Sequence, residues 1–405
     1  MATVRPFTAH LPPADRAAAI ASVPYDVVNS REAAALADGN PDSFLHVIRP
    51  EIDLPEGTDL YSDVVYAQAR RALAEFSERL PFTAEEGVLL VYRLIREGRA
   101  QVGVVGGCSV DEYDAGGIAI HERTRPAKED DRTRHVVTMG CQAEPIFLAY
   151  RQDAAVDALV AAAMDTDPLY DFTAPDGVAH TVWRAPDPAA LQAAFEAVPM
   201  LYVADGHHRA KSASRARAEL RDRAGDAHRG DEPYNFVMSV VFPDSELDIL
   251  PYNRVVTDLG GRTPGDVLAA LDARFGLTPD VAPSPAERGS FAVHAAGRWY
   301  GFRIPAPGTS VIGDLDCALL QDEVLAPVFG IEDPRRDARI DFVGGIRGTD
   351  ELARRATDAG GVAFSLFATS LAELFAVADA GEIMPPKSTW FEPKLRSGLF
   401  FHRIA

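Results

Sequence analysis

The chain is poor in lysine and cysteine and has no long hydrophobic run. Of 40 basic side chains only four are lysines, Lys128, Lys211, Lys387 and Lys394. Arginine therefore serves wherever a generic positive charge suffices, and the retained ammonium groups point to places where a compact charge must meet a phosphate or carboxylate. The three cysteines, Cys108, Cys141 and Cys317, are odd in number and widely spaced. That excludes a disulfide framework and predicts buried thiols in a reducing compartment. No apolar stretch approaches the roughly 18 residues of a membrane span, and no charged, apolar, small-residue leader opens the chain. The expected location is the cytoplasm, with no membrane partner. Basic groups are also outnumbered: 60 acidic residues leave a net charge of -20, which argues against sequence-independent binding to nucleic acid. The usual nucleotide fingerprints are missing as well. There is neither a Gly-x-x-x-x-Gly-Lys-Ser/Thr loop, nor a Gly-x-Gly-x-x-Gly turn after a strand, nor a Gly-x-Ser-x-Gly elbow.

What is present is an ordinary globular composition, 47% hydrophobic over 405 residues, too long for one typical core. Strand and helix signals mix throughout, so the expected class is α/β (α+β). Three parts are predicted: an N-terminal α/β subdomain at 1–118, a core at 119–245 and a C-terminal α/β subdomain at 246–405. Apolar periodicity predicts an amphipathic helix over 61–80, a hairpin from strands at 87–95 and 101–110, a strand at 43–47 and a helix at 154–164. From 118 the chain reads as a strand that becomes an irregular charged stretch through 132. His121-Glu122 ends that strand, a placement that holds a carboxylate rigidly. In the last third, helices are predicted at 264–275, 316–329, 349–359 and 370–380, and strands at 290–294, 299–303, 340–343 and 362–366.

The densest chemistry lies at Tyr202-Val203-Ala204-Asp205-Gly206-His207-His208-Arg209-Ala210-Lys211-Ser212. An apolar run over 198–204 leads in as a buried strand, and an Ala- and Arg-rich helix follows. At such a junction the unpaired N–H groups and positive dipole end of the helix attract an anion, and Gly206 permits close backbone approach. Asp205 is suited to a cation, and His207, His208 and Arg209 to phosphate oxygens. Read alone, Asp205 also serves as a helix cap. A second dense segment, Met384 to Lys394, carries three prolines, two lysines and two aromatics, a rigid non-helical loop.

The Asp205-Gly206-His207-His208-Arg209 turn resembles that of the free L-serine kinases of the ParB/sulfiredoxin-like superfamily. The whole chain resembles a large bacterial family of formerly unknown function that shares it. Pro24-Tyr25-Asp26-Val27-Val28, Ile120-His121-Glu122 with Thr124, Lys128 and Arg132, Pro251-Tyr252-Asn253-Arg254-Val255-Val256, and Met384 to Lys394 carry that resemblance, in the same order. After Arg209 the chain departs from the family turn: Ala210-Lys211-Ser212 stands where Tyr-Glu-Thr is frequent. The resemblance implies a ParB/sulfiredoxin-like nucleotide-binding core and transfer of a phosphoryl group from ATP or ADP to L-serine, giving O-phosphoserine. It assigns Glu122 as base, Asp205 to Mg2+, and His207, His208 and Arg209 to the phosphates. Gly206, Lys128, Arg132 and Lys211 are expected around the nucleotide. Lys387, Ser388 and Thr389 suit the carboxylate of serine on chemical grounds. A nucleotide-binding ParB-like regulator without small-molecule turnover is the competing expectation, and a homodimer is left open.

Overall fold

The computed structural model describes residues 2–405. The chain divides into two compact units, Met1–Leu247 with Pro393–Ala405, and Asp248–Glu392. The first is built on a nine-stranded mixed sheet. Its strands are β1 (Val4–Arg5), β2 (Leu90–Arg96), β3 (Arg99–Ser109), β4 (Ile118–Ala119), β5 (Ile146–Tyr150), β6 (Tyr170–Thr173), β7 (Ala179–Arg184), β8 (Leu201–Asp205) and β9 (Phe236–Pro243). They lie in the order β4-β8-β5-β9-β3-β2-β7-β6, with β1 on β3. Two pairings are parallel, β4 with β8 and β5 with β9. This one sheet takes strands from both sides of the boundary expected at 118/119, and the last segment of the chain returns to the same unit.

The predicted hairpin is β2–β3, paired from Leu90 with Val105 to Arg96 with Arg99. Cys108 lies buried in β3, where burial pushes its thiol up to about 12. Helix α1 (Asp63–Arg79) buries Val65, Tyr66, Ala69, Ala72, Leu73 and Phe76 along one face. Val65, Leu73 and Phe76 each contribute about 1.5–3 kcal/mol of burial. Helix α2 spans Pro126–Met139, α3 Ala154–Met164 and α4 His207–Ala224. The α3 start is capped by Asp153, which accepts from Ala155 and Val156 N–H.

Two expectations are corrected here. The strand predicted at 43–47 is helical, Leu45–Ile48, because Leu45, Val47 and Ile48 are all buried and the run has no period to read. The charged stretch after 121 is not irregular to its end, since α2 begins at Pro126. Proline at its first turn and Gly140 in the left-handed region at its end (φ 63) are its punctuation. Asp131, His135 and Met139, spaced four apart, form a buried face that polar residue types disguise, and Thr133 is buried too.

The second unit holds a six-stranded, wholly antiparallel sheet. It comprises β10 (Tyr252–Val256), β11 (Thr278–Pro279), β12 (Ser290–Ala295), β13 (Arg298–Arg303), β14 (Ile340–Gly344) and β15 (Val362–Leu366), in the order β11-β13-β12-β15-β10-β14. Its helices include α5 (Pro264–Phe275), α6 (Gly348–Asp358) and α7 (Leu371–Asp379), close to the predicted spans. Among the described residues no helix is long and apolar enough to cross a membrane.

Candidate active site

The parallel strands β4 and β8 pair Ile118 with Leu201 and Ala119 with Tyr202. Each then feeds a helix, β8 through Gly206 into α4, and β4 through residues 120–125 into α2. The contacts between the two helices climb in step. Arg125 N–H donates to His208 Nε2 at 3.1 Å, Ser212 Oγ donates to the Glu129 carbonyl at 3.3 Å, and Arg215 reaches the Glu129 and Asp130 carboxylates. The helices therefore run parallel, and their positive dipole ends emerge together beyond the carboxyl ends of two parallel strands, where open α/β sheets receive ligands. The α4 start has no side-chain cap, and its first intrahelical bond is Ala210 N–H to the Gly206 carbonyl. The N–H groups of the first turn thus lack intrahelical acceptors, an arrangement whose partial positive charge favours an anion.

Asp205, the last residue of β8, accepts from Gly206 N–H at 2.8 Å through Oδ1 and from Lys394 Nζ at 2.8 Å through Oδ2. Burial opposes its ionisation, but the Lys394 and Arg209 charges, with these two hydrogen bonds, outweigh it and hold the carboxyl well below its usual range. Gly206 has φ 92, and a Cβ there would stand 3.1 Å from the Arg209 guanidinium carbon. Glycine is thus required both by the turn and by the side chain packed over it.

Arg209 is turned inward. Its Nη1 donates to the Pro145 carbonyl and its Nη2 lies 3.7 Å from Asp26, while Nε has no hydrogen-bond partner. Burial works against its charge, but Asp26, Glu144 and Asp205 outweigh it and raise its pKa. Glu144 accepts from Tyr25 N–H and Ser397 Oγ, both at 3.1 Å, and burial raises its pKa. Arg132 stacks 4.3 Å above the Tyr25 ring and pairs with Asp131 at 3.0 Å.

His207 and His121 meet edge to face with ring centroids 4.5 Å apart, which brings the His121-Glu122 segment against the α4 start. Burial lowers both pKa values, His121 to about 4, so both rings are neutral near pH 7. His207 Nε2 is buried without a hydrogen-bond partner. His208 is half-buried, its pKa lowered chiefly by burial. Since its Nε2 accepts from Arg125, the neutral ring carries its proton on Nδ1.

Of the expected residues, the first unit thus gathers Asp205, Gly206, His207, His208 and Arg209, with Glu122 directly after His121. Lys128 lies in the first turn of α2, its ammonium 5.6 Å from the Tyr61 ring centroid, and Lys211 is half-buried in α4. Lys387, Ser388 and Thr389 belong to the second unit; Lys387 is exposed, whereas Ser388 is buried and donates to the Pro385 carbonyl at 2.6 Å. The reading from sequence did not place Lys394, Asp26 or Glu144 in the site. The scarcity of lysine was a signal for the first of these. Among the described residues no group of three or more His, Cys, Asp or Glu side chains is arranged to hold a metal.

The fold and site define a mixed α/β protein in which two adjacent parallel strands each lead into a helix, with the two helix starts side by side. The chain belongs to the family described as protein of unknown function (DUF1015), whose model matches residues 4–318. No curated protein matches it. Among solved structures it is similar to SbnI with a C-terminal truncation from Staphylococcus aureus, at 13% identity and TM-score 0.39 over 73% of this chain and 87% of that one. It is also similar to a free serine kinase in complex with AMP, at 15% identity and TM-score 0.35 over 73% of this chain and 92% of that one. A conserved hypothetical protein from Pyrococcus furiosus matches at 14% identity and TM-score 0.31 over 73% of this chain and 95% of that one.

Proposed function

We propose that this chain is a nucleotide-dependent free L-serine kinase with a ParB/sulfiredoxin-like core. The observation that carries the reading is the pair of parallel helix starts, with Asp205, His208 and Lys128 around them. Such a site suits a polyphosphate, and in-line phosphoryl transfer is mainly a matter of positioning and charge. The N–H groups at the α4 start, His208 Nδ1–H and Lys128 bind phosphate oxygens in this reading, with Lys211 and Arg132 near the nucleotide. Arg209, tied to Pro145 and Asp26, acts by holding the turn and the Asp205 carboxylate in place.

The serine hydroxyl gives its proton to Glu122 as its oxygen attacks the terminal phosphorus of ATP or ADP. The bond from that phosphorus to the bridging oxygen breaks, releasing the shortened nucleotide and O-phosphoserine. A single carboxylate, Asp205, fits Mg2+ that arrives on the phosphates with its waters rather than in a protein cage. Lys394 occupies one lone-pair direction of Oδ2 and Gly206 one of Oδ1, and a carboxylate has about four. Asp205 would hold the ion there, and the ion would supply positive charge to the transferring phosphoryl group.

The test is phosphorus NMR of the protein with Mg2+, ATP or ADP, and L-serine. A phosphoserine resonance is expected, reduced on the order of 10²-fold or more by Glu122→Gln while nucleotide binding is retained. Full activity in that variant removes Glu122 from the mechanism. The Asp205–Lys394 pair favours one second reading, a nucleotide-binding regulator, because an aspartate already neutralised tolerates phosphates without turnover. Binding without consumption of either nucleotide would select it.

A further inference from the structure

Arg254, on β10 of the second unit, is only 3% exposed. Its Nη1 donates to the Tyr252 carbonyl, its Nη2 to the Pro386 carbonyl at 3.4 Å, and its guanidinium lies 4.7 Å from the Phe342 ring centroid. These are dipoles and a ring face. Among the described residues no Asp or Glu pairs with it, and only Cys317 and Tyr252 oppose the burial that pushes its pKa down to about 10. A buried cation without a counter-charge is costly unless something supplies one.

A second cation is gathered around the same tyrosine. The Lys387 ammonium lies 5.3 Å from the Tyr252 ring centroid, and its backbone sits at φ 58, a region lysine occupies only when its surroundings impose it. Trp390 packs edge-on against Tyr252 at 5.3 Å and seats on Gly344, where a Cβ would come within 2.5 Å of the indole. Glu392, a buried acid at the end of the short strand Trp390–Glu392, accepts from Trp390 Nε1 at 2.8 Å. The cluster thus holds two cations and three aromatic rings, and its buried acid is engaged by an indole.

We propose that Arg254 and Lys387 form a binding site for a small oxyanion, a carboxylate or a phosphate, in the second unit. The guanidinium fork meets two oxygens side by side and the ammonium adds a point charge. The Phe342 ring beside the buried guanidinium strengthens the attraction to Arg254 by excluding water. On binding, Arg254 exchanges its long bond to Pro386 for a charged partner. The site does not rest on the kinase reading, since it requires an anion and no phosphoryl transfer.

The test is the melting temperature of the full chain at constant ionic strength, with sodium chloride replaced stepwise by inorganic phosphate or by acetate. A saturable rise is expected, at least halved by Arg254→Met and reduced by Lys387→Met. A larger response to acetate assigns the site to a carboxylate, and a larger response to inorganic phosphate assigns it to a phosphate. An equal rise in wild type and Arg254→Met, or no saturable rise, overturns the proposal. Should Arg254→Met fail to fold, Lys387→Met and a crystal structure of the wild-type chain determined in the presence of selenate decide. A selenium peak within hydrogen-bond reach of Arg254 is expected; its absence, with an unchanged Lys387→Met response, overturns the site.

Discussion

Arg209 and Arg254 are both buried arginines next to a tyrosine, yet their surroundings differ in sign. Arg209 faces Asp26, Glu144 and Asp205, which outweigh the effect of burial and raise its pKa. Arg254 meets carbonyl groups and a ring, so burial prevails and lowers its pKa to about 10. The first is a component of an internally neutralised site. The second is a cation whose partner comes from outside. Burial alone therefore says little about what a charged side chain does; the carboxylates brought to it by the fold decide.

The sharpest way to break this comparison is to replace each guanidinium by an apolar chain of similar length. Arg209→Met leaves three acids facing one another and should lower the stability of the chain by about 3–5 kcal/mol, read from urea unfolding. Arg254→Met removes an uncompensated charge along with its carbonyl bonds, and should stay within about 1 kcal/mol of wild type in the absence of added anion. Equal losses would erase the distinction.

Lys394→Met probes the neutralisation of Asp205 and should remove about 2 kcal/mol at neutral pH. The folded pKa of Asp205 is held below its ordinary value of 3.8. The stability this contributes is present above that value and is lost as the pH falls below it. The gap between wild type and Lys394→Met should therefore be full at pH 6 and shrink steadily in acid. A gap that persists unchanged to pH 2 would mean that Lys394 acts through packing. Gly206→Ala comes next, at about 1–2 kcal/mol, because alanine must hold φ 92 and press on Arg209. Lys128→Ala should change stability by less than about 0.5 kcal/mol. It should weaken nucleotide binding a few-fold in calorimetry; unaltered affinity would take Lys128 out of the phosphate set.

Much of the architecture was legible because its periods were clean. The helix predicted at 154–164 is the one found, and the run ending in Ala204 is the strand that delivers Asp205. Pattern failed where burial was complete or where polar residues faced inward. Leu45, Val47 and Ile48 are buried together and gave no alternation. Asp131 accepts from the Tyr66 hydroxyl and His135 bonds the Val47 carbonyl, partners that no hydropathy pattern displays.

The local chemistry of the site was determined by the sequence itself. A left-handed glycine between a strand and a helix must offer N–H groups, and His207, His208 and Arg209 must follow it within one turn. Only the tertiary structure decided that Lys394, 189 residues from Asp205, neutralises that aspartate. It alone set the start of α2 beside that of α4, turned Arg209 inward to Asp26 and left Arg254 without an acid. Local elements follow from short-range sterics and hydrogen bonding. Which charges meet depends on sheet order and on the return of the chain end, and those are properties of the whole packed unit.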